Sequence, residues 1–364
     1  MDRSKRNRRG VLVGAVAVAG VALAVAGCGS SSSSSSSSTT STGSGSTFAA
    51  LAYNTWCQNS KLCSYSSKGS AAGIQDFING TADWGATDSP LKQPELTQLA
   101  SKRGGVTPIY FPTFLGAIAV PANVSGVKVP LQFSGATLAG IFDGQISTWN
   151  DPKIAAENPG VTLPSAQITV CVRSDGSGTS SNFSGWLGDA SQEFLTKVGA
   201  ASKTPAWTAP HITQGLKNPG VLSCVKSNPN SVGYADLADV ISAGDQSLIS
   251  KIKAGNGTYV TPTPATVTAA GTTATASTPI DPKALQKSLL NSTASGAYPI
   301  TITTFVLAYS NYQQAGMTKA LAGTQSFLNY AYGSTAQNAL TALGDAPLPP
   351  SILSAAKSQV STLK

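Results

Sequence analysis

The stretch CVRSDGSGTSSNFSGWL, residues 171–187, sets an arginine and an aspartate among serines, glycines and a threonine, between an apolar run and the start of a helix. It reads as an ordinary loop, a nucleophile turn or an anion cradle, and the rest of the chain has to choose. Small hydroxyl and glycine residues at a helix start leave backbone N–H groups and side-chain hydroxyls pointing one way, a ready site for an oxyanion. Arg173 adds charge-assisted, bidentate contacts. Two further segments share this grammar: GSGSTF (43–48) leads into AALAYNTWC, and SKGSAAG (67–73) leads into IQDFI. Ser, Thr and Gly are also the commonest helix caps, so one such turn says little. Three of them with an arginine favour an anion.

Catalytic readings find less support. A serine hydrolase wants G-x-S-x-G on a strand-to-helix turn and a histidine partner, whereas DGSGT is off that pattern and His211, the only histidine, lies in a proline-flanked APHITQG that reads as exposed loop. There is no G-x-x-x-x-G-K-[ST] for a nucleotide, and no paired carboxylates in a compact motif. Cysteine and histidine spacings do not follow zinc patterns, so no metal and no cofactor is expected.

The N-terminus places the chain outside the cytoplasm. MDRSKRNRRG is a basic leader, and the apolar run of small residues at 11–27 ends at Cys28, which together read as an export signal over 1–28. AVAGC resembles the bacterial lipobox, whose cysteine is lipidated and becomes the mature N-terminus. Residues 29–46, almost pure Ser, Thr and Gly, are expected to be a flexible tether. The leader carries half of the formal charge of +8, and what remains over more than three hundred residues is no nucleic-acid footprint. Charged residues make up only 11% of the chain, so its surface must consist largely of uncharged polar groups. Besides Cys28 there are four cysteines, Cys57, Cys63, Cys171 and Cys224. In an exported chain these allow two disulfides in three pairings, and sequence proximity favours Cys57 with Cys63, leaving Cys171 with Cys224.

Along the chain, apolar runs alternate with helical patterns, which predicts an α/β protein with parallel sheets covered by helices. Residues 116–120, 167–172 and 301–309 read as buried strands; 71–80, 137–144, 180–188 and 318–333 read as helices. The Thr-, Ala- and Pro-rich segment 259–279 is expected to be extended or loop.

Together, STFAALAYNTW, GSAAGIQDFINGTADWGATDSPL, LAGIFDGQISTWNDPKI, VRSDGSGTSSNF, NSVGYAD and ALGDAPLPPSI occur in an order and spacing that resembles the phosphate-binding proteins of bacterial ABC phosphate transporters, from Thr47 to the C-terminus. The resemblance implies a type II periplasmic-binding-protein fold: two α/β domains joined by a hinge, with the ligand site in the cleft between them. Domain I would comprise 47–120 and 299–364, and domain II 121–298. It further implies a monomeric binder rather than an enzyme, held on the outer face of the cell membrane by lipid on Cys28. That binder would take up inorganic phosphate with high affinity and deliver it to membrane permease and ATPase partners. Carried over by position, the phosphate ligands would be Thr47, Phe48, Ser70, Asp88, Arg173, Ser177, Gly178 and Thr179, with Asp175 holding Arg173.

A carboxylate facing an anion makes sense if the ligand has a proton to donate. Phosphate near neutrality has one; sulfate or molybdate, the alternative oxyanions for this fold, would meet Asp88 as bare acceptors. The chain departs from the family pattern at three points. Ala49 follows Thr47 and Phe48 where proline is usual; GSAAG replaces Gly-Ser-Gly-Ala-Gly, so that Ala71 is expected to restrict the approach of the backbone to a ligand; and LKNPG (216–220) stands for Gly-Asn-Glu-Gly.

Overall fold

The computed structural model describes residues 40–364; the leader, Cys28 and residues 29–39 of the expected tether lie outside the described residues. The strands are β1 (Ser41–Gly45), β2 (Cys63–Ser67), β3 (Trp84–Thr87), β4 (Pro108–Ala119), β5 (Ala122–Asn123), β6 (Gln132–Phe133), β7 (Thr169–Arg173), β8 (Ile212–Gly215), β9 (Ser231–Gly233), β10 (Ala235–Asp236), β11 (Lys251–Lys253), β12 (Tyr259–Val260) and β13 (Thr301–Tyr309). They form a six-stranded sheet in the order β10-β4-β13-β3-β1-β2, a four-stranded sheet β5-β9-β7-β8 and a three-stranded sheet β12-β11-β6.

The sheets are mixed, not parallel throughout as the alternating pattern predicts. β1 runs parallel to β2 and β3, but β13 lies antiparallel to both β3 and β4, and β10 antiparallel to β4. The apolar runs of β4 and β13 are buried on both faces, and in such a run side-chain patterning does not encode direction. The chain leaves the six-stranded sheet after β4, enters the four-stranded one at β5, and returns finally at β13. It also crosses back between β9 and β10, where Ala235 and Asp236 pair with Ala119 and Ile118.

Residues 41–45, expected as the end of the tether, are instead strand β1, inside the sheet between β2 and β3. Their smallness has a packing cause. A Cβ on Gly43 would lie 2.1 Å from the Trp84 ring, and one on Gly73 would lie 2.2 Å from the Gly45 Cα. The indole stacks on Phe327 at 4.4 Å between centroids and donates from Nε1 to the Ser41 hydroxyl at 3.2 Å. Tyr53 meets Tyr65, Trp84, Phe114 and Phe327 edge to face, so the floor of the sheet is an aromatic cluster that only a side-chain-poor strand could cross.

The segment expected to be extended contains the helix Pro264–Gly271. Its proline sits in the first turn, where a missing N–H costs nothing. Thr263 and Thr266 cap each other reciprocally, and Val267 and Ala270 are buried. Both disulfides form as sequence proximity favours. Cys57–Cys63 ties the helix Ala50–Ser60 to β2, and Cys171–Cys224 ties β7 to the helix Lys217–Ser227.

Candidate anion-binding site

Four strands deliver the candidate residues from their C-terminal ends, the side on which α/β sheets hold ligands: the mutually parallel β1, β2 and β3 of the six-stranded sheet, and β7 of the four-stranded sheet, which runs parallel to β8 and β9. β1 runs into Ser46, Thr47 and the helix Ala50–Ser60; β2 into Gly69 and the helix Ser70–Asn79; β3 into Asp88; β7 ends at Arg173, before the helix Gly178–Ala190. Backbone bonds hold these turns to one another. Gly45 O accepts from Lys68 and Gly69 N–H at 3.0 and 2.8 Å, and Gly176 O accepts from Ala71 N–H at 3.0 Å. The Ala71 methyl faces Gly176, where a Cβ would lie 2.4 Å from it, so glycine at 176 absorbs the extra carbon at 71.

Asp88 is the centre of the arrangement. Its Oδ1 accepts from the Ser46 hydroxyl at 2.5 Å, its Oδ2 from the Ser70 hydroxyl at 3.3 Å, and its carbonyl from Asn182 Nδ2 at 2.6 Å. Gly178 lies directly against this pair: a Cβ there would be 2.6 Å from both Asp88 Oδ2 and Ser70 Oγ. Burial pushes the Asp88 carboxyl up, opposed by the hydroxyls of Ser46 and Thr304, by the charge of Arg173 and by Ser70. Three helix starts and an arginine thus converge on one buried carboxyl.

Arg173 is held from two sides. Its Nε donates to Asp175 Oδ1 at 2.8 Å and its Nη2 to Asp175 Oδ2, while Nη1 donates to Asn218 Oδ1 at 2.8 Å. Each terminal nitrogen keeps one N–H for another acceptor. Burial raises Asp175, but the hydrogen bonds and charge of Arg173, with the Lys217 N–H, outweigh it and hold the carboxyl below its ordinary value. Tyr234 supports the same arginine by accepting its backbone N–H at 3.2 Å.

The remaining expected residues are all buried. Ser177 accepts the Ser180 N–H as the helix cap, so its hydroxyl is partly engaged. Phe48 stacks on Phe114, with its ring turned into the core, so its contribution to a ligand would be the backbone N–H. The hydroxyls of Thr47 and Thr179 are shut off from solvent with no partner among the described residues, and buried hydroxyls ordinarily have one. Ser46 and Asn218 touch the site without belonging to the expected set. Ser46 sits in GSGSTF, at the end of the stretch read as tether, and Asn218 in the departure LKNPG, where its contact with Arg173 spans 45 residues.

Lys217, beside it, adopts φ 62°, a left-handed conformation that glycine takes freely. This explains what the family pattern gains from a glycine there.

The fold and the placement of the site at strand C-termini define the class, a type II periplasmic binding protein, and residues 29–335 match the PBP superfamily domain. The chain belongs to the PstS phosphate-binding protein family. It is 33% identical over 290 residues to "Phosphate-binding protein PstS" of Xylella fastidiosa, covering 79% of this chain and 74% of that one. To the protein of the same name in Haemophilus influenzae it is 33% identical over 301 residues, 82% and 84% of the two chains. To "Phosphate-binding protein PstS 3" of Mycobacterium leprae it is 32% identical over 317 residues, 85% and 80%. Among solved structures, a phosphate-binding protein from Stenotrophomonas maltophilia superposes with a TM-score of 0.68 at 22% identity, covering 88% of this chain and 93% of that one. That likeness speaks for the fold.

Proposed function

We propose that this chain binds inorganic phosphate outside the cytoplasm and passes it to the permease and ATPase of an ABC importer, acting as a binder and not as an enzyme. The observation that carries the reading is the set of unspent donors on the turns that meet at Asp88: the remaining N–H groups of Arg173 and the buried hydroxyls of Thr47 and Thr179, which have no partner among the described residues. Asp88 supplies the one acceptor that a protonated oxyanion requires. The relatives named above, all called phosphate-binding proteins, support the ligand.

In this reading the six-stranded sheet with its segments 41–120 and 299–364, joined by β10 at Ala235–Asp236, forms one domain and the rest of 121–298 the other, working as a monomer that closes on the ion. Contacts such as Ala71 N–H to Gly176 O, and the ion pair of Lys203 with Glu95 at 3.1 Å, would then be made on closure. Calorimetric titration of the chain from Thr40 onward, freed of bound anion, should show tight one-to-one binding of phosphate and none of sulfate. The same solutions should contract in small-angle scattering when phosphate is added. Absence of any binding would overturn the function, and an unchanged radius the closure.

Asp88→Asn should narrow the preference for phosphate over sulfate by about 100-fold, because an amide N–H can face a bare oxyanion where a carboxylate cannot. An unchanged ratio would show that Asp88 does not read the ligand proton. Membrane attachment through Cys28 is a separate part of the proposal. Cys28→Ser should move the protein from the membrane fraction to the soluble one, and continued membrane association would refute the lipid anchor.

A further inference from the structure

Lys203 is a buried lysine outside the expected ligand set, in the irregular segment between the helix Gln192–Lys197 and β8. Its carbonyl accepts the Ser177 N–H at 2.9 Å, at the cap of the helix Gly178–Ala190, and the N–H of its neighbour Ser202 donates to the Ser184 hydroxyl of that helix at 3.2 Å. The Lys203 backbone is therefore tied to the turn that carries Ser177, Gly178 and Thr179. Its ammonium points the other way. Nζ lies 3.3 and 3.1 Å from the two carboxylate oxygens of Glu95, and donates at 3.4 Å to the carbonyl of Pro90, two residues past Asp88.

Glu95 is fixed on its own side. It stands in the first turn of the helix Gln93–Lys102, where its Oε2 accepts the Lys92 N–H at 2.6 Å, and the Leu91 N–H before that helix donates to the Tyr110 hydroxyl on β4 at 3.0 Å. The pair thus joins the turn after β3 of the six-stranded sheet to the turn after β7 of the four-stranded one, beside the anion site and not in it. Burial pulls the Lys203 ammonium down, against the charge and hydrogen bonds of Glu95 that hold it up. A desolvated ammonium is costly unless a counter-charge meets it, so Lys203 is well placed only while Glu95 is opposite.

We propose that Lys203 and Glu95 form a latch that sets how long phosphate stays bound. This rests on the reading of the site as a phosphate cradle that closes. The anion enters while the two domains are apart and before the pair exists, so the latch takes no part in capture. Once the domains meet, the pair stabilises the closed form alone and has to part before the ion leaves. A desolvated, hydrogen-bonded ion pair acts on dissociation in this way, whereas exposed charges act on encounter. Lys203 and Glu95 are positioning residues: they hold the turn of Ser177 against the turn of Asp88 without touching the anion.

Release of labelled inorganic phosphate into an excess of unlabelled phosphate reads koff, equilibrium titration reads Kd, and the two together give kon. Glu95→Gln keeps an oxygen for the Lys92 N–H and so keeps the helix cap, and Lys203→Met keeps the stem while removing the ammonium. Each should raise koff by about tenfold and leave kon within about twofold. The double variant should lose no more than about tenfold, because both substitutions break one interaction; independent residues would lose about 100-fold. Thermal unfolding of the phosphate-free variants confirms that they are folded. Unchanged koff in both single variants, a loss carried by kon, or additive losses in the double variant would each overturn the latch while leaving the phosphate site intact. No phosphate binding by the unsubstituted chain would overturn the site and the latch together.

Discussion

Arg173→Ala should weaken phosphate binding by about 10³-fold, equivalent to roughly 4 kcal/mol, with the fold retained. The guanidinium is almost wholly buried, its charge acts on Asp88, and its neighbours Asp175 and Asn218 leave its remaining N–H groups aimed elsewhere. Removal deletes the one cation of the cradle and also leaves Asp175 without its counter-charge, beside the anion. Arg173→Lys should recover only part of the loss, because an ammonium cannot serve Asp175, Asn218 and a ligand with one planar fork. Titration calorimetry reads both variants. A loss below tenfold for the alanine variant would mean that the helix starts hold the ion without the arginine.

Trp84→Ala should cost about 4 kcal/mol of unfolding free energy, measured by urea denaturation. The indole is fully buried, stacked between Phe327 and Tyr65, with its Nε1 on Ser41 and its ring against Gly43. Its loss would leave a cavity beneath β1, and β1 is the strand that carries Ser46 and Thr47 to the site. Phosphate affinity should therefore fall as well, by a smaller factor than for Arg173→Ala. A cost under about 1 kcal/mol would show that β1 does not depend on this packing.

These two residues mark the limits of what could be read from sequence. Arg173 was legible because its neighbours, Asp175 through Thr179, form a contiguous polar turn after an apolar strand, and local order along the chain sufficed. The strand Thr301–Tyr309 was legible for a similar reason, since nine residues of TITTFVLAY can only be buried. β1 was not legible. STGSG has no β-branched apolar residue and continues a serine tract, so its composition says tether. The cause of its strand conformation, the Trp84 face on one side and the Gly73 turn on the other, lies dozens of residues away. The helix Pro264–Gly271 was concealed by the same limit, because Thr and Pro mark loops unless Thr-Pro happens to form an N-terminal cap.

What the sequence determined by itself was the set of local signals: the helix starts, the buried runs, the arginine with its aspartate, the favoured cysteine pairing, and the resemblance that ordered them. Each depends on residues near one another in the chain, where propensity and spacing carry the information. What only the tertiary structure decided was the direction of the strands, the recruitment of residues 41–45 into the sheet, the hold of Ser46 on Asp88 and the second arm behind Arg173. Those rest on contacts between residues far apart in sequence, and packing selects them by shape and by the need to pair buried polar groups, neither of which any single segment records.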